Sequence, residues 1–192
     1  SPLGLAPGVP VFIRILKEER LLELFVEHDG RFVLLKAFPI CTFSGALGPK
    51  LRDGDGQAPE GYYRIRRGQL NPASAYHLSF DLGYPNAYDR AHGRTGSALM
   101  VHGSCVSIGC FFFNDTATTE IYTLVDAALA AGQPAIEVHA VPFRLAGADA
   151  LRRIEASPWR GFWLQLREGW LAFERDGRPP RIAVRERRYV VG

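Results

Sequence analysis

Asp29-Gly30, lying between two runs rich in β-branched and aromatic residues, constrains this sequence more than any other feature. The dipeptide suits the positive φ values of a tight hairpin turn, so residues 21–27 and 31–38 are expected to pair as antiparallel strands. Residues 11–17 share their character and are set off by the polar break Lys17-Glu18-Glu19-Arg20. The opening of the chain therefore predicts a three-stranded antiparallel meander, and no helical period of comparable strength competes with it.

Beyond the meander, the Gly- and Pro-rich residues 42–59 read as loop, residues 62–67 as strand and residues 71–81 as a turn with a short strand. Residues 83–96 form a second polar, Gly-rich loop carrying Tyr84, Asn86, Tyr88, Asp89, Arg90, His92 and Arg94. Such loops on a β scaffold commonly carry binding groups, so this one is expected to wall a substrate cleft, with Tyr84, Asn86 and Arg94 as binding candidates. An ordinary surface loop is the alternative. Residues 98–101 are apolar and read as a buried strand. Ile121, Leu124, Val125, Ala128 and Leu129 keep a helical stripe that Asp115 or Thr116 can cap, ended by Gly132-Gln133-Pro134. Residues 135–141 alternate as a strand, and residues 149–156 suit a short helix. Ser157 as N-cap and Pro158 in the first turn then open a longer helix. On it Trp159, Phe162, Trp163, Leu166, Trp170 and Phe173 share one face, the pattern of a packing face rather than a ligand box. Asp176-Gly177 and Pro179-Pro180 stop that helix, and residues 182–184 suit a last strand.

The 192 residues suit one domain with a real core. No apolar run approaches the length that spans a bilayer, so no transmembrane segment is expected. A formal charge of +3 is too small to argue nucleic-acid binding. The late arginines, Arg175, Arg178, Arg181, Arg185, Arg187 and Arg188, read as solvated surface, with docking on an anionic envelope polymer or lipid as the minority reading. Residues 1–8 lack the basic and apolar parts of a signal peptide and read as a linker.

Chemistry concentrates in Val101-His102-Gly103-Ser104-Cys105-Val106-Ser107-Ile108-Gly109-Cys110. Cysteine is a good nucleophile near neutral pH once a neighbour draws off its proton, and histidine is the usual neighbour. Gly109 lets the backbone bend beside Cys110, so that amide N–H groups can point at a developing oxyanion. These residues suit a thiol acyl-transfer site with Cys110 as nucleophile and His102 as base. They equally suit a packing role, in which the cysteine is a small buried hydrophobe and the histidine a satisfied polar group. Zinc binding by His92, His102, Cys105 and Cys110 is a poor reading, because the paired short spacings of structural sites are missing. No metal or other cofactor is expected.

His102-Gly103, followed by Ser107-Ile108-Gly109-Cys110, resembles the signature of the L,D-transpeptidase (YkuD-like) family of peptidoglycan enzymes, in its short-spaced YafK-like branch. Phe12-Ile13-Arg14-Ile15, Pro39-Ile40-Cys41, Ala58-Pro59-Glu60-Gly61-Tyr62-Tyr63, Asn71-Pro72, Tyr76-His77-Leu78-Ser79-Phe80 and Gly83-Tyr84-Pro85-Asn86-Ala87-Tyr88-Asp89 are similar to the family as well, so the likeness covers nearly the whole chain. Residues 111–124 depart from it: the family has an aromatic, then Ala-Met-Thr-Asp, and later Glu-Glu-Ile-Tyr. This run also resembles a peptide produced when sequencing-adapter reads are translated. Its Phe111-Phe112-Phe113 is expected to narrow the cleft.

The resemblance implies a mainly β fold with peripheral helices (α+β), a β-sandwich core with a C-terminal aromatic-faced helix. Residues 9–143 would form the catalytic domain and residues 144–192 a helical extension packed on it. It implies peptidoglycan stem peptides as substrate and a periplasmic or envelope location. Cys110 would attack the third, diamino-acid residue of a tetrapeptide stem, release D-Ala and pass the acyl group to an amine on another stem or on a lipoprotein lysine. Gly109 and Cys110 amides would form the oxyanion hole, Ser107 would orient the loop or serve as a turn hydroxyl, and Gly103 would line the substrate site. Hydrolysis of stems or of lipoprotein crosslinks, and a silent wall-binding module, are the alternatives. In an oxidising compartment Cys41 and Cys105 would pair and leave Cys110 free; two plain buried thiols is the other reading.

Overall fold

A computed structural model describes residues 4–74, 77–97, 100–103 and 111–192. The meander is present as β1 (Val11–Leu16), β2 (Leu21–His28) and β3 (Arg31–Pro39), all antiparallel, with Asp29 and Gly30 both at positive φ in the β2–β3 turn. Next come β4 (Thr42–Phe43), β5 (Gly61–Ile65), β6 (Leu70–Ser74), β7 (His77–Asp81) and the short helix α1 (Ala87–Ala91). The second half contains β8 (Met100–His102), β9 (Phe111–Phe112), α2 (Asp115–Ala130), β10 (Ile136–Val141), α3 (Ala148–Glu155), α4 (Arg160–Asp176), β11 (Ile182–Arg185) and β12 (Arg188–Val191).

These strands build two five-stranded sheets and a hairpin. The first sheet runs β3-β2-β1-β10-β5 and the second β4-β9-β8-β7-β6. Each contains one parallel pair, β1 with β10 and β8 with β9. Strand alternation sorts the side chains into layers. Val11, Ile13 and Ile15 point to an inner core shared with Val138 of β10, Phe80, Val101 and Phe111 of the second sheet, Phe113 just after β9, and Ile121 and Val125 of α2. Phe12 and Leu16 point the other way, under the aromatic face of α4, where Phe162, Trp163, Leu166, Trp170 and Phe173 are buried. Each such side chain contributes about 1.5–3 kcal/mol on burial. The fold is thus an α+β sandwich with helices on its periphery.

Several local expectations are corrected. Asn114, not Asp115 or Thr116, caps α2, its Oδ1 accepting the Ala117 amide at 2.8 Å. Helix α4 begins at Arg160 rather than beside Ser157, whose hydroxyl instead accepts the Trp159 amide at 3.0 Å. The loop at 83–96 contains α1, capped by Asn86, with Asp89 returning a bond to the Asn86 amide. Phe111 and Phe113 lie in the core, so these two do not narrow a cleft.

A buried cluster fixes the long loop between β4 and β5. Lys17 Nζ, fully buried, donates to the carbonyls of Gly48 and Ala58, both at 3.0 Å, and to Glu60 Oε2 at 3.1 Å. Glu60 Oε2 also accepts the Gly48 amide at 2.7 Å, and Oε1 accepts Trp163 Nε1 of α4 at 2.7 Å. Burial lowers the Lys17 pKa while Glu60 opposes that shift. One ion pair so joins the first sheet, the loop and α4.

Candidate active site

His102 ends β8, and its position follows from alternation. Val101 points into the inner core, so His102 projects from the opposite face of the second sheet, in register with Ser79 of β7. Both residues are buried, and among the described residues the Ser79 hydroxyl has no hydrogen-bond partner. The His102 backbone is held by the Phe113 amide, which donates to its carbonyl at 3.1 Å. Nδ1 of the ring lies 2.6 Å from the Gly103 carbonyl oxygen. A carbonyl oxygen only accepts, so Nδ1 carries the proton and Nε2 is the basic nitrogen of the neutral ring. The same contact turns the Gly103 carbonyl to the histidine.

β9 enters the sheet beside this histidine, with Phe111 paired to Val101 and Phe112 to His102. Cys110, Ser107 and Gly109 lie outside the described residues, as does Cys105. Cys41 is disulfide-bonded, which excludes the plain-thiol reading for it; its partner lies outside the described residues.

Tyr84, Asn86 and Arg94 are brought together in the loop that follows β7, which contains a cis Tyr84–Pro85 bond. Tyr84 is buried and donates to the carbonyls of Lys50 at 3.3 Å and Thr95 at 3.0 Å. Asn86 Nδ2 donates to the Tyr62 carbonyl and to the Tyr189 hydroxyl, both at 2.8 Å. Arg94 pairs with the fully buried Asp89 at 2.7 Å and lies over the rings of Tyr88 and Phe162. Asp89 Oδ2 also accepts the Tyr63 hydroxyl at 2.8 Å, and burial, reinforced by the Asp89 charge, pushes the Tyr63 pKa well up. These polar atoms face protein partners and fix the loop. Among the described residues, Arg94 Nε has no such partner.

Among the described residues no group of three His, Cys, Asp or Glu side chains could hold a metal ion, and no helix is long and apolar enough to cross a membrane. His92 Nε2 lies 2.7 Å from the Arg187 carbonyl, and its ring stacks on Tyr88.

No protein-family model matches the chain. A protein of Escherichia coli (strain K12) named "Putative L,D-transpeptidase YafK" is 46% identical over 184 residues, covering 96% of this chain and 74% of that protein. The chain belongs to the L,D-transpeptidase family. Solved structures agree on its fold. The helical cell shape determining protein Pgp2 of Campylobacter jejuni superposes with a TM-score of 0.57 at 20% identity, covering 89% of this chain and 58% of that one. Bd1075 of Bdellovibrio bacteriovorus gives 0.52 at 18% identity, covering 86% and 58%.

Sequence reasoning missed two residues of this L,D-transpeptidase-family chain. Ser79 faces His102 only through the β7–β8 register, a long-range pairing without a local signal. Asp89 was legible as the fourth residue of an Asn-x-x-Asp cap, but the surrounding Gly and polar residues argued loop.

Proposed function

We propose that this chain is a peptidoglycan L,D-transpeptidase of the cell envelope working by cysteine acyl transfer. Cys110 attacks the carbonyl of the third, diamino-acid residue of a tetrapeptide stem. Its thiol proton passes to His102 Nε2 and from there to the amine of the departing D-Ala, leaving a thioester. An incoming amine gives a proton to the same nitrogen and takes the acyl group, which frees the sulfur. Amides at Gly109 and Cys110 stabilise the oxyanion, and Ser107 orients their loop. Tyr84, Asn86 and Arg94 shape the substrate cleft through the loop they hold, and Gly103 lines it.

The observation that carries this reading is the buried His102 ring with Nδ1 on the Gly103 carbonyl, which leaves Nε2 as a base of defined tautomer. Strand register supports it: Phe111, the residue that follows Cys110 in the sequence, pairs with Val101, the residue before His102.

Incubating the protein with a disaccharide-tetrapeptide and following products by mass spectrometry tests the proposal. Expected are D-Ala release, a thioester adduct on Cys110 and a crosslinked dimer, with a carbapenem adduct on the same sulfur. Tripeptide without dimer assigns hydrolysis instead. Folded protein that forms no adduct and releases no D-Ala overturns the enzymatic reading in favour of a binding module.

A further inference from the structure

We propose that a cavity at the free edge of the first sheet is a second binding site, selective for a peptide or amino acid that presents a carboxylate and a protonated amine together. The cavity measures about 430 Å³ and is walled by β5, the turn after β7, α1 and the start of β11. That volume lies in the range of small-ligand sites. It is not the His102 site. Arg64 and Glu137 alternate with the core residues Tyr63, Ile65, Ile136 and Val138, so they lie on the α4 side of the first sheet. His102 projects from the far face of the second.

The charges lining the cavity decide the ligand class. Arg64 is neutralised by Glu137, its cross-strand partner, at 2.7 Å. Arg66 and Arg90 also line the cavity, and among the described residues neither guanidinium has an ion-pair partner. Asp81 accepts the Gly83 amide through Oδ1 at 2.7 Å, and among the described residues no cation pairs with it. An anion alone would meet Asp81 and Glu137 as well as the arginines, and a cation alone the reverse. A zwitterion satisfies both, its carboxylate on Arg66 and Arg90 and its ammonium on the acidic pair. Burial raises the Glu137 pKa against the opposing pull of Arg64 and Arg66.

The cavity is also built before any ligand arrives. Gln69 Nε2 donates to the carbonyls of Arg64 at 2.9 Å and Asp81 at 3.0 Å, and Gln69 Oε1 accepts the Arg66 amide at 2.7 Å. One side chain thereby sets the spacing between the end of β5 and the end of β7, and so between the cationic and acidic walls.

Calorimetric titration at neutral pH with L-alanyl-L-alanine, its N-acetyl form, its C-terminal amide and inorganic phosphate tests the assignment. The free dipeptide is expected to bind, and each blocked form to bind about tenfold more weakly or worse. Arg66→Gln and Arg90→Gln, exposed substitutions whose folding is checked by thermal melts, are each expected to weaken the free dipeptide. Equal binding by a blocked form or by phosphate overturns the zwitterion assignment. So does undiminished affinity in the double variant, or no binding up to roughly 10 mM. The readout is equilibrium binding without turnover, so it stands apart from the fate of Cys110.

Discussion

Nδ1 of His102 is bound to the carbonyl of its own neighbour, Gly103, at 2.6 Å. The group that fixes the tautomer is therefore main chain. His102→Gln is expected to lower the rate of D-Ala release by about 10²–10⁴-fold, the range typical of a lost general base. Cys110→Ala should abolish both release and the covalent adduct. An unchanged rate in folded His102→Gln protein would remove the histidine from that role.

Lys17 and Glu60 are fully buried and satisfy each other. Lys17→Met leaves the Glu60 charge without its counterion and is expected to cost about 3–5 kcal/mol in urea unfolding. Adding Glu60→Gln should restore part of that loss. Equal stability of the two variants would mean that Glu60 finds another cation.

His139 is buried between Phe12 and Tyr62, with no partner for Nε2 among the described residues, and burial holds its pKa down to about 3, helped by Arg14. The unfolded chain titrates near 6.5, so between these values it binds the proton that the folded protein refuses. This contribution to stability is complete above the unfolded value and falls with pH by up to about 1.4 kcal/mol per unit. His139→Leu should flatten the dependence of unfolding midpoint on pH between neutrality and acid. A variant with the wild-type slope would exclude His139 as the source.

Cys41 is oxidised in this structure. The acyl-transfer mechanism needs a free Cys110, so peptide mapping under non-reducing conditions is expected to recover Cys41 linked to Cys105 and alkylated Cys110. Recovery of a Cys41–Cys110 link would make the protein inert until reduced.

Arg94→Met strands the fully buried Asp89 and is expected to destabilise by about 3–5 kcal/mol. Asn86→Ala removes the α1 cap and should cost about 1 kcal/mol. If either side chain instead served only to bind substrate, melting would be unchanged and KM alone would rise.

Much of the architecture could be read from local patterns. Asp29-Gly30, the alternation of residues 135–141 and the aromatic face of α4 each depend on neighbours within a few residues. What escaped depends on pairing at long range or on turns without their usual residues. β12 was missed because its hairpin turns on Glu186 and Arg187, both at positive φ, where Asn or Gly would have signalled it. The two-residue strands β4 and β9 exist only because each pairs with residues far away in sequence. At the site, His102 was legible from residue type, but its tautomer and its Ser79 neighbour required three-dimensional register.

Because β10 inserts between β1 and β5, the first sheet cannot close in chain order. During synthesis the meander must wait, with one edge of β1 bare, until a strand more than a hundred residues later emerges to cover it. A polypeptide cut short before β10 would retain every residue of the candidate catalytic stretch and still present an adhesive, half-built sheet to its surroundings.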